Sequence, residues 1–174
     1  DKETEIYKGM KLIDDKLGGT TPLSVIIKFP GVEKVENEDD EFENWEDEDQ
    51  DDSKYWFTRN KINIITKVHD YLDNLEGVGK VISFASVVRV AEDLNSGKKL
   101  GGLEMGVLYT KIPDSIKNTV IDPYISIKNN EARISLRILD SKKDLRRNDL
   151  INKINYDLEN KIGLKKDEFK LAGV

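Results

Sequence analysis

Four short stretches of this 174-residue chain hold residue types at spacings that chemistry could use. The first, NLEGVGKVIS (74–83), contains GVGK, the tail of a phosphate-binding loop. A Walker loop sets a glycine five positions before the GK pair and Ser or Thr after it, so that backbone N–H groups cradle phosphates and the hydroxyl holds Mg²⁺. Here those places are occupied by Asn74 and Val81. The order of elements is also reversed: such a loop runs from a strand into a helix N-terminus, whereas here a helical pattern precedes and an apolar strand-like run follows. The glycines read instead as a structural corner, Gly77 an αL cap on the preceding helix and Gly79 a position where the strand passes close beneath it.

The second stretch is acidic. Asp47, Asp49 and Asp51 stand at positions one, three and five of a calcium loop, but position six, which needs glycine, is Asp52, and position twelve, which needs Glu, is Thr58. Solvation or diffuse cation association is the expectation, with Phe42 and Trp45 able to dock transiently on a partner or on the basic body. The third is His69, the single histidine, which lacks a cysteine or carboxylate cluster at ligand spacing and reads as a core-edge residue. The fourth is Arg146-Arg147 with its nearby lysines. Nucleic acid is not expected there, because the strands lack the aromatic pattern by which RNA-recognition sheets stack bases. No serine, lysine or carboxylate pair stands in an activating context, and no cysteine is present, so no covalent chemistry, metal or cofactor is expected.

The elements that must position these residues follow from periodicity. Ile6, Met10, Ile13 and Leu17 make one helical stripe, stopped by Gly18-Gly19. Leu23, Val25, Ile27 and Phe29 alternate along a strand ended by Pro30-Gly31. Ile62, Ile65, Val68/His69, Leu72 and Leu75 define the longest helix, and VGKVISF a strand parallel in sense to the first, reached by a crossover. A short helix capped by Ser86, an irregular glycine-rich stretch over 98–113 and a weak helix ended by Pro123 make up an insertion over 85–122. YISIK-NN-EARISLRIL then reads as a hairpin, with Ile134, Leu136 and Ile138 on one face and Arg133 and Arg137 on the other. A helix from near Asp144 to Gly163 and a final strand complete the chain. The expected fold class is α+β, a ferredoxin-like βαβ-βαβ sandwich in one domain, with an antiparallel sheet and its long helices on one face.

Charge is divided unevenly. Residues 33–52 hold 13 acids against Lys34 alone; the remaining 27 basic and 21 acidic residues make a mildly basic body. The segment 33–53 is expected to be a disordered loop, because self-repulsion and scarce apolar surface leave nothing to offset its ordering entropy. No run reaches the length of a membrane helix and no signal-peptide pattern opens the chain. The missing initial Met and the strand-like FKLAGV ending point to a segment of a longer protein.

The blocks DDKLGGTTPLSVIIKF (14–29), YLDNLEGVGKVISFASVVRVAEDLN (71–95), IDPYISIKNNEARISLRILDS (121–141) and LRRNDLINKI (145–154) resemble the extracytoplasmic porter domain of RND-superfamily exporters, in particular the MMPL-like hydrophobe/amphiphile branch. Gly18 to Pro22 are similar to the entry into its first porter strand, Gly77 to Val81 to its second strand and Arg133 to Arg137 to its third. The acidic run departs from that pattern. The resemblance implies a periplasm-facing domain of a proton-driven inner-membrane exporter, whose partners are the transmembrane helices, a second porter domain, like subunits and an amphiphilic substrate. The substrate path is expected where the insertion meets the sheet, lined by Val87, Val88, Leu94 and Leu103, which otherwise close a satellite core. The rival reading is a free-standing ferredoxin-like module for small molecules or RNA.

Overall fold

Between Gly19 and Pro30 the chain alternates apolar and polar side chains, and in the computed structural model, which describes residues 4–31, 52–139 and 146–173, this stretch is strand β1 (Thr21–Lys28). Before it lies α1 (Glu5–Leu17), capped by Thr4 and ended by Gly18 in the left-handed region at φ 71°. A 3-10 helix (Asp52–Trp56) leads into α2 (Arg59–Asp73), followed by β2 (Val78–Ile82), α3 (Phe84–Leu94) and α4 (Gly102–Lys111). Then come α5 (Asp114–Ile116), continued by a π turn (Lys117–Ile121), β3 (Ile125–Ser126) and β4 (Glu131–Ile138). Last are α6 (Arg147–Asp157), with a second π turn (Leu158–Ile162), and β5 (Phe169–Ala172).

The strands form one mixed-connection, fully antiparallel sheet in the order β2-β4-β1-β5, with β3 paired to β4 as a hairpin arm. β1 and β2 run in the same sense but are separated by β4, so the β1-α2-β2 connection crosses over an intervening strand. Register puts Leu23, Val25 and Ile27 opposite Leu136, Ile134 and Ala132, and all six are buried. Arg133 and Arg137 emerge on the other face, where Arg133 Nε donates to Ser24 Oγ at 3.0 Å.

One core joins this apolar face to α2, through Ile62, Ile65, Val68 and Leu72, and to α6, through Leu150, Ile154 and Leu158. The two helices are tied by Asp157, which is buried. Its carboxylate accepts from Tyr71 Oη at 2.7 Å and from Lys153 and Lys161 at 3.0 Å each. These three donors, Tyr71 first, hold the Asp157 carboxyl down at about 2 in spite of its burial. A second anchor is aromatic: Trp56 meets Phe29 and Phe57 edge-on at 5.9 and 5.3 Å, and the buried Lys61 ammonium lies 4.6 Å above the Trp56 ring.

Several local expectations are corrected. The apolar stripe of α1 is not packed: Ile6, Ile13 and Leu17 are exposed, Ile6 to 77%. Stretch 98–113 is irregular only at its ends, because 102–111 is helix α4. Its Gly102 is required by proximity, since a Cβ there would collide with the Phe57 carbonyl. The cap of α3 is Ser83, whose Oγ accepts from Ala85 N–H, while Ser86 closes the capping box from inside. Gly77 has the expected positive φ of 89°, but α2 ends earlier, at Asp73 with Asn74 as its cap. Gly79 is needed for close approach, though to the Gly18 backbone after α1 and not to the long helix: Lys80 N–H donates to Gly18 O at 3.0 Å. Of the acidic segment, residues 33–51 lie outside the described residues, and Asp52 and Ser53 open the 3-10 helix.

Candidate functional site

The 4-3-4 spacing of Arg59, Asn63, Thr66 and Asp70 puts these residues along one edge of α2, beside its apolar stripe. Ala85, Val88, Arg89 and Glu92 do the same on α3. With Ile62 and the segment Lys99–Leu100–Gly101, they enclose a cleft of about 530 Å³, within the roughly 300–1,000 Å³ of small-molecule sites.

Both ends of the cleft are pinned. At one end the Arg89 guanidinium pairs with Asp70, and His69 Nδ1 shares a 2.8 Å hydrogen bond with Ser83 Oγ. At the other, Glu92 accepts from Lys99 Nζ at 3.0 Å and Leu100 N–H at 3.2 Å, while Gly97 N–H donates to the Glu92 carbonyl at 2.8 Å. Gly102 then sits against Phe57 and Arg59. Helix α3 packs along α2, with Arg89 paired to Asp70 and the ring of Phe84, its first residue, 5.4 Å from that of Phe57 just before α2.

Electrostatics inside are mostly settled within the cleft. The hydrogen bond from Lys99 leads the effects that hold the Glu92 carboxyl below the usual carboxylate range, against its burial. Burial lowers the His69 imidazole, the Arg89 charge lowers it further, and Asp73 and Asp70 oppose both. A serine beside a histidine is a nucleophile-base arrangement in outline, but Ser83 is fully buried and its oxygen already caps α3. That pair is a structural tie between α2 and α3. Among the described residues Arg59 enters no ion pair, although it lines the same cleft as two carboxylates.

The four path residues separate. Val88 is buried and lines the cleft, and Val87 is half-buried against the core. Leu94 and Leu103 are 84% and 73% exposed and lie outside it. The hollow is formed by the insertion against α2, where the insertion had been expected to meet the sheet. His69, read as a core-edge residue, is buried beside the apolar stripe of α2. Arg147 donates to Thr21 Oγ1 at 3.0 Å, which ties α6 to β1, and the calcium-loop positions Asp47, Asp49 and Asp51 lie outside the described residues. Arg59, Asp70, Arg89 and Glu92 were not singled out from sequence, because charged residues at helical spacing beside an apolar stripe look like any solvated face. A smaller hollow of about 170 Å³ lies at the β3–β4 hairpin, beside Tyr124 and Arg133. Among the described residues no helix is long and apolar enough to cross a membrane, and no group of three or more metal-ligating side chains occurs. No family model, curated protein or solved structure matches the chain.

Proposed function

We propose that this chain is a porter domain of a proton-driven RND-superfamily exporter of the MMPL-like branch, facing the periplasm from an inner membrane. Its partners are the transporter's membrane helices, a second porter domain, like subunits and a hydrophobic or amphiphilic substrate. The reading needs no covalent step and no nucleic acid. The observation that supports it best is the strand order β2-β4-β1-β5, two interleaved βαβ halves with α2 and α6 against one face. Such an order fits the ferredoxin-like arrangement expected from the succession of elements, and the residue blocks 14–29, 71–95 and 121–154 carry the resemblance to the porter domain. Since that arrangement hosts many functions, the family assignment rests on those blocks. The cleft adds a place where a passing amphiphile can touch the domain, its floor apolar and its rim charged.

The rival, a free-standing small-molecule module, draws support from the fact that this chain alone encloses the cleft. The encoding reading frame separates the two. A frame of several hundred residues with about a dozen apolar spans of roughly 20 residues each supports the exporter. A frame coding for this domain alone ends that reading. Detergent titration followed by amide shifts tests the contact itself: changes confined to 59–70 and 85–101 support it, and scattered changes remove it.

A further inference from the structure

Resting on the amphiphile contact just described, we propose that the cleft selects amphiphiles with one anionic head, a carboxylate or phosphate monoester, which pairs with Arg59 while the tail lies on Ile62, Ala85, Val88 and Leu100. The lining contains three cations and two carboxylates, and the carboxylates are already satisfied. Asp70 has Arg89; Glu92 has Lys99 and the Leu100 N–H. A cationic ligand would have to displace one of these internal partners and leave Arg89 or Lys99 without its carboxylate. An anionic ligand displaces nothing, because Arg59 lines the cleft and makes no ion pair among the described residues. The planar fork of that group suits the two oxygens of a carboxylate or phosphate better than a point charge would.

Geometry supports a ligand with a long axis. From Arg59 to Asp70 the groove follows α2 for roughly 16 Å, at 1.5 Å per residue. Along α2 its two ends differ: Arg59 stands at one and the closed Asp70–Arg89 pair at the other. Between them Ile62, Ala85 and Val88 are buried side chains that make an apolar floor, with Leu100 half-buried above and Asn63 and Thr66 as polar edges. The head is thereby assigned to the Arg59 end and the tail to the floor. The depressed proton affinity of Glu92 agrees with a carboxylate that has no need of a ligand.

The test uses the whole chain and five probes below their micelle thresholds: dodecanoate, dodecyl phosphate, dodecyltrimethylammonium, dodecyl maltoside and inorganic phosphate. Affinities come from calorimetry and location from amide shifts. Both anionic amphiphiles are expected to bind about tenfold tighter than the cationic and neutral ones, the scale of a charge-assisted hydrogen bond. Inorganic phosphate alone should bind far more weakly, since it lacks the tail. Arg59→Gln should remove the tenfold preference and leave dodecyl maltoside affinity unchanged, while Arg146→Gln, outside the cleft, changes neither. Equal affinity for all three head types overturns the charge selection and leaves the amphiphile contact standing. Anionic preference that survives in Arg59→Gln overturns the assignment of the head. If no amphiphile shifts the amides of 59–70 or 85–101, this inference and the contact on which it rests both fall.

Discussion

Replacing Gly79 with alanine tests the corner that GVGK makes. A Cβ there would lie far inside 3.0 Å of the Gly18 carbonyl oxygen and at 3.0 Å from Gly18 Cα, where real Cβ contacts essentially never go below 3.0 Å. The obstacle is backbone, so no rotamer relieves it. Gly18 cannot yield easily either, because its φ of 71° ends α1 and its own missing Cβ faces Lys80. The turn after α1 must therefore retreat, and the 3.0 Å hydrogen bond from Lys80 N–H to Gly18 O is lost. Overpacking of this kind costs roughly 1–3 kcal/mol and a lost hydrogen bond about 1 kcal/mol. An upper bound comes from α1 itself: with Ile6, Ile13 and Leu17 exposed, letting α1 swing away sacrifices little burial. We expect a net loss of about 2 kcal/mol, a fall in the urea midpoint of about 1 M at a slope of roughly 2 kcal/mol per M. Hydrogen exchange at the Lys80 amide should lose its protection in the same variant. Gly163→Ala is the control, because Gly163 has φ 90° with open space around it and should cost only about 1 kcal/mol through backbone strain. A Gly79→Ala protein within about 0.5 kcal/mol of the parent, the range of an ordinary surface change, with Lys80 still protected, would refute the reasoning.

Asp157 sets an acid limit. Its carboxyl titrates at about 2 in the folded chain against an ordinary 3.8, so the stability it contributes is complete above 3.8 and is lost as pH falls from there toward 2. Asp157→Asn should flatten that part of the stability profile, where the parent loses about 1–2 kcal/mol by linkage. His69 acts at milder acidity with the same sign: its folded form resists protonation, so the unfolded chain binds the extra proton. Stability should be full above 6.5 and decline as pH drops below it, and His69→Gln should remove that slope in thermal melts taken across the window. Val88→Ala should cost about 2 kcal/mol by cavity formation, whereas Leu94→Ser, at a side chain 84% exposed, should stay within about 0.5 kcal/mol of the parent in the same melts. Equal effects at the two positions would mean that α3 is rotated from the orientation described.

Periodicity alone determined the elements that bury one face. The alternation Leu23, Val25, Ile27 and Phe29, the stripe Ile62, Ile65, Val68 and Leu72, and the opposed faces of 131–138 each place their side chains from within a single segment. Gly18 and the Asn130 turn, at φ 53°, were legible for the same reason, since left-handed backbone is a local demand. Other features depend on what a distant segment places opposite. The stripe of α1 has the spacing of a buried helix yet stays exposed, because spacing says which side chains share a face and not whether anything covers it. Gly102 looked like loop composition, although it opens a helix at the point where the Phe57 carbonyl leaves no room for a side chain. Nothing local marks Asp157, whose carboxylate is met by Tyr71 from 86 positions away. The cleft belongs with these cases: Arg59 and Glu92 stand on separate helices as ordinary charges, and only the packing of α2 against α3 turns two polar edges into one charged cleft. Long-range closure selects among the faces that local sequence offers, and the information for that selection is spread over every segment that packs.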